Sequence, residues 1–133
     1  DDLVGNASFD RLGDAFALSG SGTTIAASAR SGVIRVFELE GNDWKSKGSI
    51  EGMFSGAVSL SHDGNTLAAG MMNGEIMMFE FNGTNWTQVN GLIDGIDVEG
   101  NSIEIGHRGL SLSSSGNWIA SGSQFGKRRW YSN

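Results

Sequence analysis

The sequence contains neither cysteine nor proline among its 133 residues. The lack of cysteine excludes disulfides, thiolate metal sites and cysteine nucleophiles, and it leaves the redox compartment open. Because proline is missing as well, tight turns must be made by glycine together with Asn, Asp and Ser, which tolerate the left-handed backbone that such turns need. Glycine is plentiful, at 21 residues. Many short strands joined by tight turns are therefore expected.

Positive charge is scarce too. Nine Lys and Arg stand against 15 Asp and Glu, which gives a net charge of −6 and a pI near 4.7. Nucleic-acid binding normally requires a basic stripe that displaces counterions, so no nucleic-acid partner is expected. No apolar run approaches the roughly 18 residues that suggest a membrane-spanning helix, so no membrane span is expected.

One unit of sequence occurs three times along the chain. The copies read ALSGSGTTIAASARSGVIRVFELE from Ala17, SLSHDGNTLAAGMMNGEIMMFEFN from Ser59 and SLSSSGNWIASGSQFGKRRWYSN from Ser111. Corresponding positions are 42 and 52 residues apart, as in the sets Leu18, Leu60, Leu112 and Gly22, Gly64, Gly116. Apolar and polar residues alternate within each copy and turn residues interrupt them, which predicts strands and not helices. Four antiparallel strands in about 42 residues is the size of one β-propeller blade.

The predicted fold class is therefore all-β, built from propeller blades that are four-stranded antiparallel sheets. In the second copy we predict strands over residues 57–61, 66–71 and 75–81, and a fourth strand that begins at Trp86. Residues 1–12 are interpreted as the end of a preceding blade, 13–52 as the first blade and 53–95 as the second. Residues 96–133 are interpreted as an insertion followed by an incomplete third blade, so the whole chain is one propeller segment.

Two known repeat families have units that resemble these copies. The segment VSLSHDGNTLAAGMMNGEIMMFEF resembles a WD40-type repeat, with its Ser-x-Asp-Gly turn, Leu-Ala-x-Gly strand and aromatic-bearing third strand. Phe37-Glu38 and Phe79-Glu80 stand where that family carries Trp-Asp, and residues 53–56 where it carries Gly-His. The segment FDRLGDAFALSGSGTTIAASA is similar to the FG-GAP-like repeats of large extracellular and adhesive proteins. Either resemblance covers almost the whole chain and implies a β-propeller.

The number of copies is small for a propeller, which closes with about four to eight blades. The third copy stops at Asn133, inside its third strand, and an open stack of blades exposes an apolar face at each end. Two explanations are open. The chain is part of a longer propeller, or two copies assemble into a six-bladed ring in which each N-terminal strand completes the partner's last blade. Further blades of the same or a second chain are thus expected as partners beside other proteins.

The WD40-type resemblance implies a partner-binding rim, made by the loops from fourth to first strand and from second to third strand. These loops place on one face the residues Arg30, Met53, Phe54, Met71, Met72, His107, Arg108 and Phe125. Methionine and phenylalanine in loops favour a surface that a protein partner covers; alternatively, they fill the packing between blades.

His62 and His107 accompany no catalytic motif. We therefore predict a non-enzymatic protein-interaction scaffold.

A secreted recognition or adhesion module, binding glycan or protein, is the alternative prediction. Trp44 and Trp86 each follow an Asn-containing hairpin and would form a repeated sugar-stacking platform, or else pack over the outer strand. Three glycosylation sequons begin at Asn6, Asn82 and Asn85, and two of them share one hairpin. These sequons favour a secreted or luminal location slightly over the cytoplasm.

One interpretation of the insertion is a calcium loop, in which Asp97, Glu99 and Asn101 place oxygen ligands at alternate positions. A complete loop of this kind requires glycine at its sixth position and glutamate at its twelfth, where Ser102 and Arg108 stand instead. A plain solvated insertion is the alternative. No other cofactor is expected.

Overall fold

The structure is a computed structural model, and it describes residue 3 and residues 10–96, 102–103, 105–123 and 129–132. The elements in these ranges are all strands: β1 Ala15–Leu18, β2 Thr24–Ser28, β3 Val33–Glu40, β4 Asp43–Glu51, β5 Phe54–Leu60, β6 Thr66–Met71, β7 Ile76–Phe81, β8 Trp86–Ile93, β9 Gly95–Ile96, β10 Ser102–Ile103, β11 Ile105–Leu112, β12 Trp118–Ser123 and β13 Arg129–Ser132. No long apolar helix that could cross a bilayer occurs in this part of the chain.

Three large sheets follow one another along the chain, and β9 and β10 form a separate two-stranded sheet. The first sheet is β1-β2-β3-β4 and the second is β5-β6-β7-β8, both antiparallel, while the third contains β11-β12-β13. In the second copy β6 and β8 begin at the predicted residues, β5 begins three residues early at Phe54, and β7 begins one residue late at Ile76. The predicted solvated insertion contains a short ladder, in which Ser102 of β10 pairs with Ile96 of β9.

The same turn joins the first two strands of each of the three large sheets. A serine Oγ accepts a hydrogen bond from the backbone N–H five residues later at 3.0 Å, in the pairs Ser19 with Thr24, Ser61 with Thr66 and Ser113 with Trp118. The glycine three residues after the serine has a positive φ of 76°, 69° or 78°, at Gly22, Gly64 and Gly116. Glycine takes this conformation without steric cost, which explains why it recurs in each copy.

Two apolar clusters hold the sheets together, and each contains residues of neighbouring sheets. The first, between the first and second sheets, contains Ala26, Ile34, Val36, Ile50, Phe54, Val58, Leu60, Leu67, Ala69 and Phe79. The second, between the second and third sheets, contains Ala68, Ile76, Met78, Ile105, Leu112 and Ile119. Neighbouring residues of β6 belong to different clusters because side chains alternate across a strand. The second sheet is therefore buried on both faces, as a blade inside a stack must be.

Hydrogen bonds between turns tie each sheet to the next. The amide of Ser21 donates to the carbonyl of His62 at 2.9 Å, and the amide of His62 donates to the carbonyl of Ser114 at 2.9 Å. At the opposite end of the strands, the amide of Ile105 donates to the carbonyl of Gly74 at 2.9 Å. The sheets thus stack face to face with their turns aligned, which brings the loops at one end of the strands onto one surface.

Candidate functional site: a methionine-bearing rim

The predicted rim is built from one backbone arrangement that occurs twice. In the first sheet the amide of Arg30 donates to the carbonyl of Asp10 at 3.0 Å. In the second sheet the amide of Met72, 42 residues further on, donates to the carbonyl of Met53 at 2.9 Å. Each bond joins the turn after the second strand to the loop before the first strand. We call this junction of turn and loop a corner. It is polar in the first sheet, with Asp10 and Arg30, and it carries Met53 and Met72 in the second sheet.

The two corners adjoin one another. The amide of Gly52 donates to the carbonyl of Gly32 at 3.0 Å, and a Cβ placed on Gly32 would lie 3.8 Å from the Cα of Met53. Met53 consequently lies beside the turn that carries Arg30. Met53 is 63% exposed and Met72 is 53% exposed, and Arg30 is exposed too. We call the surface of Arg30, Met53 and Met72 the rim patch.

A polar network anchors the loop that precedes the first sheet. Asp10 accepts a hydrogen bond from the Ser31 hydroxyl at 2.7 Å, and its second carboxylate oxygen lies 3.3 Å from a guanidinium nitrogen of Arg35. The Asp10 side chain is only 8% exposed, so water competes little for this ion pair. Because Ser31 follows Arg30 directly, the network also fixes the backbone of the rim patch at its polar end.

Of the other predicted rim residues, the structure describes the side chains of Phe54 and Met71 only, and neither belongs to the rim patch. Phe54 is 2% exposed, and its ring packs edge to face against Phe79 with centroids 5.9 Å apart. This burial supports the alternative that Phe54 fills the packing between blades, because β5 begins at this residue and directs it into the first cluster. Met71 is half-buried against the same cluster. His107 and Arg108 belong to the backbone of β11, their side chains lie outside the described part, and Phe125 lies outside the described residues.

Trp86 makes a contact between the first and second sheets. Its indole Nε1–H donates to the carbonyl of Lys47 at 3.1 Å, and its ring centroid lies 5.4 Å from that of Phe81. A Cβ on Gly48 would lie 3.4 Å from the indole Cδ1. These contacts support the alternative that Trp86 packs over an outer strand, here β4 of the first sheet, and its stacking role stays a prediction. Trp44 is half-buried opposite Leu39, and its stacking role stays a prediction.

Replacing Trp86 with phenylalanine should lower the free energy of unfolding by about 1 kcal/mol, because the aromatic packing is retained while one hydrogen bond between sheets is lost. Urea denaturation measures the change. The matched control is Trp44→Phe, at the corresponding hairpin position, where we expect a loss below about 0.5 kcal/mol. Equal losses in the two variants would show that the indole bond to Lys47 does not stabilise the stack.

Lys47 is the main polar contact between sheets that sequence reasoning missed. Its ammonium group donates to Glu38 Oε1 at 2.9 Å, to Asn65 Oδ1 at 2.9 Å and to the Gly64 carbonyl at 3.3 Å, and its side chain is 4% exposed. Nζ also lies 5.0 Å from the centroid of the Phe81 ring. The second copy has Val89 at this position, half-buried against the second cluster. The difference between Lys47 and Val89 at one repeat position was the only feature of the sequence that indicated a polar contact at Lys47.

Acidic and histidine side chains form no metal-binding group of three or more in the part of the chain that the structure describes. Asp97, Glu99 and Asn101 lie outside the described residues, so the calcium loop stays a prediction. Among the carboxylates that the structure describes, Asp63 has a pKa shifted from its ordinary value. Hydrogen bonds from the Ser61 hydroxyl at 2.6 Å and from the Asn65 amide at 3.0 Å lower the pKa of Asp63 below its usual 3.8.

Asp63→Ser should make unfolding less sensitive to acid. A carboxylate whose pKa is lowered by folding stabilises the protein above its unfolded pKa, and this contribution disappears as pH falls through the folded pKa. We expect a small stability advantage of the wild-type chain at neutral pH that shrinks as pH falls from about 5 to about 2. Serine is a suitable replacement because Ser21 and Ser115 occupy this turn position in the other copies. Urea denaturation across that pH range would contradict the prediction if the difference stayed constant.

Comparison with solved structures identifies the architecture. The chain superposes on the β-propeller domain of Cps50 (Swd1) from Myceliophteria thermophila with a TM-score of 0.68 at 16% identity, covering 87% of this chain and 38% of that one. It also superposes on a protein assigned as a 6-phosphogluconolactonase from Bacteroides uniformis, with a TM-score of 0.67 at 16% identity, covering 99% of this chain and 39% of that one. A similarly assigned Bacteroides fragilis protein gives a TM-score of 0.59 at 15% identity, with coverages of 86% and 32%.

No protein-family profile and no curated protein matches the chain. At these identities the likenesses concern the fold alone. Together with the two complete four-stranded antiparallel sheets, they confirm the predicted all-β class and the β-propeller blade architecture. The chain spans about two fifths of the length of the first two structures, 38% and 39%, and therefore has the extent of a partial propeller.

Proposed function

We propose that the chain is a non-enzymatic protein-interaction unit of a larger propeller or assembly, and that it binds its partner through the rim patch. The observation that carries this proposal is the pair Met53 and Met72, 63% and 53% exposed and joined by a backbone hydrogen bond of 2.9 Å. Two large apolar side chains project from backbone that is already fixed. A partner that covers them removes apolar area from water without having to order the loops that carry them.

Methionine suits this role because its unbranched, polarisable side chain adapts to different apolar surfaces. It is also enriched in protein interfaces relative to the rest of the surface. Arg30, on the neighbouring turn, adds a positive charge at the edge of the patch. The complementary partner presents an apolar side chain flanked by a carboxylate, which can accept hydrogen bonds from the guanidinium group.

The chemistry of the patch supports binding and not turnover. A thioether does not transfer protons, and an arginine guanidinium stays protonated in proteins. The alternative of a secreted glycan-binding module has less support, because Trp86 already uses its indole and one ring face within the protein. Asn82 and Asn85 lie exposed in the β7–β8 hairpin, where glycosylation is sterically open, and the secreted or luminal location stays a prediction.

Affinity enrichment with matched variants tests this proposal. Proteins retained by the wild-type chain should be lost, by about tenfold or more, from a Met53→Ser, Met72→Ser double variant. Leu92→Ser is the control, since Leu92 is 47% exposed on β8, the outer strand of the second sheet, whereas Met72 lies in the turn between β6 and β7. If the double variant still retained these proteins and the Leu92→Ser variant did not, the contact surface would lie on β8. That result would overturn the proposal.

A further inference from the structure

The sequence contains three pairs of asparagine followed by glycine, which begin at Asn73, Asn82 and Asn90. In such a pair the backbone nitrogen of the glycine can attack Cγ of the asparagine side chain and close a five-membered ring. Glycine hinders this attack least, because it has no Cβ beside the attacking nitrogen. The structure surrounds the three pairs with different hydrogen bonds, and those at Asn82 favour the attack.

Hydrogen bonds in the β7–β8 hairpin activate the side chain of Asn82. Its Oδ1 accepts hydrogen bonds from the backbone amides of Thr84 at 2.9 Å and Asn85 at 2.8 Å. Two N–H donors on one carbonyl oxygen stabilise the negative charge that this oxygen gains when a nucleophile adds to Cγ. The bond to Thr84 also closes a ring that contains both Cγ and the Gly83 nitrogen, so it limits the separation of these two atoms.

The amide nitrogen of Gly83, the atom that attacks, is not engaged elsewhere. Among the residues that the structure describes, none accepts a hydrogen bond from this amide. Gly83 is exposed, and no described atom lies within 4 Å of a Cβ placed on it. Solvent base therefore reaches the N–H group, and the nitrogen becomes a nucleophile once its proton is removed.

The pair at Asn73 is held in the opposite way. The amide of Gly74 donates to the carbonyl of Met71 at 3.0 Å, so the attacking nitrogen is engaged in a turn. The Asn73 Oδ1 accepts one backbone hydrogen bond, at 3.3 Å from the Glu75 amide, while Nδ2 donates to Glu75 Oε2 at 2.6 Å. Attack at Asn73 therefore requires the turn to lose its hydrogen bond first.

The pair of Asn90 and Gly91 lies inside a strand. Its neighbours Val89 and Ile93 are both paired with residues of β7, so the ladder holds the backbone on either side. Rearrangement there disturbs strand pairing, whereas rearrangement at the exposed hairpin disturbs none. Of the three pairs, the one at Asn82 thus meets the least resistance.

We propose that Asn82 is a site of spontaneous deamidation in the folded protein, and that the β7–β8 hairpin promotes the reaction. Solvent base removes the Gly83 amide proton, the Gly83 nitrogen bonds to Cγ of Asn82, and the Cγ–Nδ2 bond breaks. The leaving nitrogen takes a proton from water and departs as ammonia. Water then opens the cyclic imide at either carbonyl, which leaves aspartate or isoaspartate at this position.

The reaction changes the chemistry of the hairpin over time. Either product carries a negative charge where Asn82 carries a neutral amide. Neither product has the side-chain nitrogen to which a glycan is attached, so the sequon that begins at Asn82 is lost as the protein ages. The sequon that begins at Asn85 in the same hairpin is retained.

Peptide mass spectrometry of the folded chain, sampled over several weeks at neutral pH, tests this proposal. Cleavage after glutamate places Asn73 in residues 52–75 and Asn82 in residues 81–99, where fragment ions separate it from Asn90. Asn82 should gain the mass shift of deamidation at least about tenfold faster than Asn73 and faster than Asn90. The rate at Asn82 should rise with pH, because the Gly83 amide must lose its proton before it attacks.

The same measurement in concentrated guanidinium chloride is the matched control, because all three pairs have the same two residues. In the unfolded chain the three asparagines should react within about threefold of one another, since their geometry no longer differs. Folding should slow Asn73 but not Asn82. The Asn82→Gln variant should lose the mass shift at this position, because glutamine requires a larger ring. Equal rates at Asn82 and Asn73 in the folded chain, or a slower reaction of Asn82 there than in guanidinium chloride, would overturn the proposal.

Discussion

Replacing Gly70 with alanine is expected to lower the free energy of unfolding by about 3 kcal/mol. Gly70 is the next-to-last residue of β6, the second strand of the second sheet, and it has no positive φ that would require glycine. A Cβ at this position would overlap the carbonyl oxygen of Gly106 and lie 2.7 Å from its carbonyl carbon. Backbone atoms cannot turn aside as a side chain can, so the second and third sheets must separate locally. Urea denaturation measures the loss.

Gly122→Ala is the matched control, because Gly122 occupies the same repeat position in the third sheet. No described atom lies within 4 Å of a Cβ placed on Gly122, and its φ is not positive either. We expect a change between zero and a gain of about 0.5–1 kcal/mol, since alanine reduces the entropy of the unfolded chain. Similar losses in both variants would mean that strand conformation, and not the approach of Gly106, sets the cost at Gly70.

Lys47→Met is the second variant with a large expected effect, a loss of about 2–3 kcal/mol in the free energy of unfolding. Methionine retains the length of the side chain but removes the ammonium group. The Asn65 amide oxygen and the Gly64 carbonyl then lose their donor inside a contact between sheets. Glu38 is 42% exposed and is resolvated when its partner is lost, so the estimate rests mainly on the two uncharged acceptors.

Lys45→Met separates this network from a general effect of removing positive charge. Lys45 lies two residues before Lys47 on β4 and is exposed. Its replacement should change the free energy of unfolding by no more than about 0.5 kcal/mol, as is usual at a solvent-exposed site. If Lys47→Met and Lys45→Met were equally mild, the buried ammonium group would not hold the first two sheets together.

Strand order and turns were predictable from the sequence because they depend on local residues. The alternation of apolar residues marks β6, and the glycine turns mark where strands stop, so β6 and β8 begin at the predicted positions. The threefold sequence repeat also predicted the blade architecture, since three units with the same buried positions stack in the same way. The second strands carry small residues that are fully buried between the sheets, as at Ala26 and Ala68, both 0% exposed.

The environments of individual side chains were not predictable, because they depend on residues of neighbouring sheets that the sequence of a single repeat does not reveal. Phe54 was assigned to a loop because β5 begins at residue 54, three residues before the strand that was predicted over residues 57–61. Trp86 looked free because its acceptor, the Lys47 carbonyl, lies 39 residues earlier on another sheet. The rim patch was partly predictable, in that Met53 and Met72 were both assigned to the rim. The hydrogen bond that pairs them was not.

Hydrogen exchange of the Ser21 and His62 amides, measured by NMR, tests the stacking of the sheets most directly. Both residues lie in exposed turns, and both amides donate across a sheet boundary, to the His62 and Ser114 carbonyls at 2.9 Å. In the stacked structure these amides should exchange at least about tenfold more slowly than in an unstructured peptide. Exchange at the unstructured rate, with the amides inside β6 still protected, would show folded sheets that do not stack and would contradict the blade arrangement.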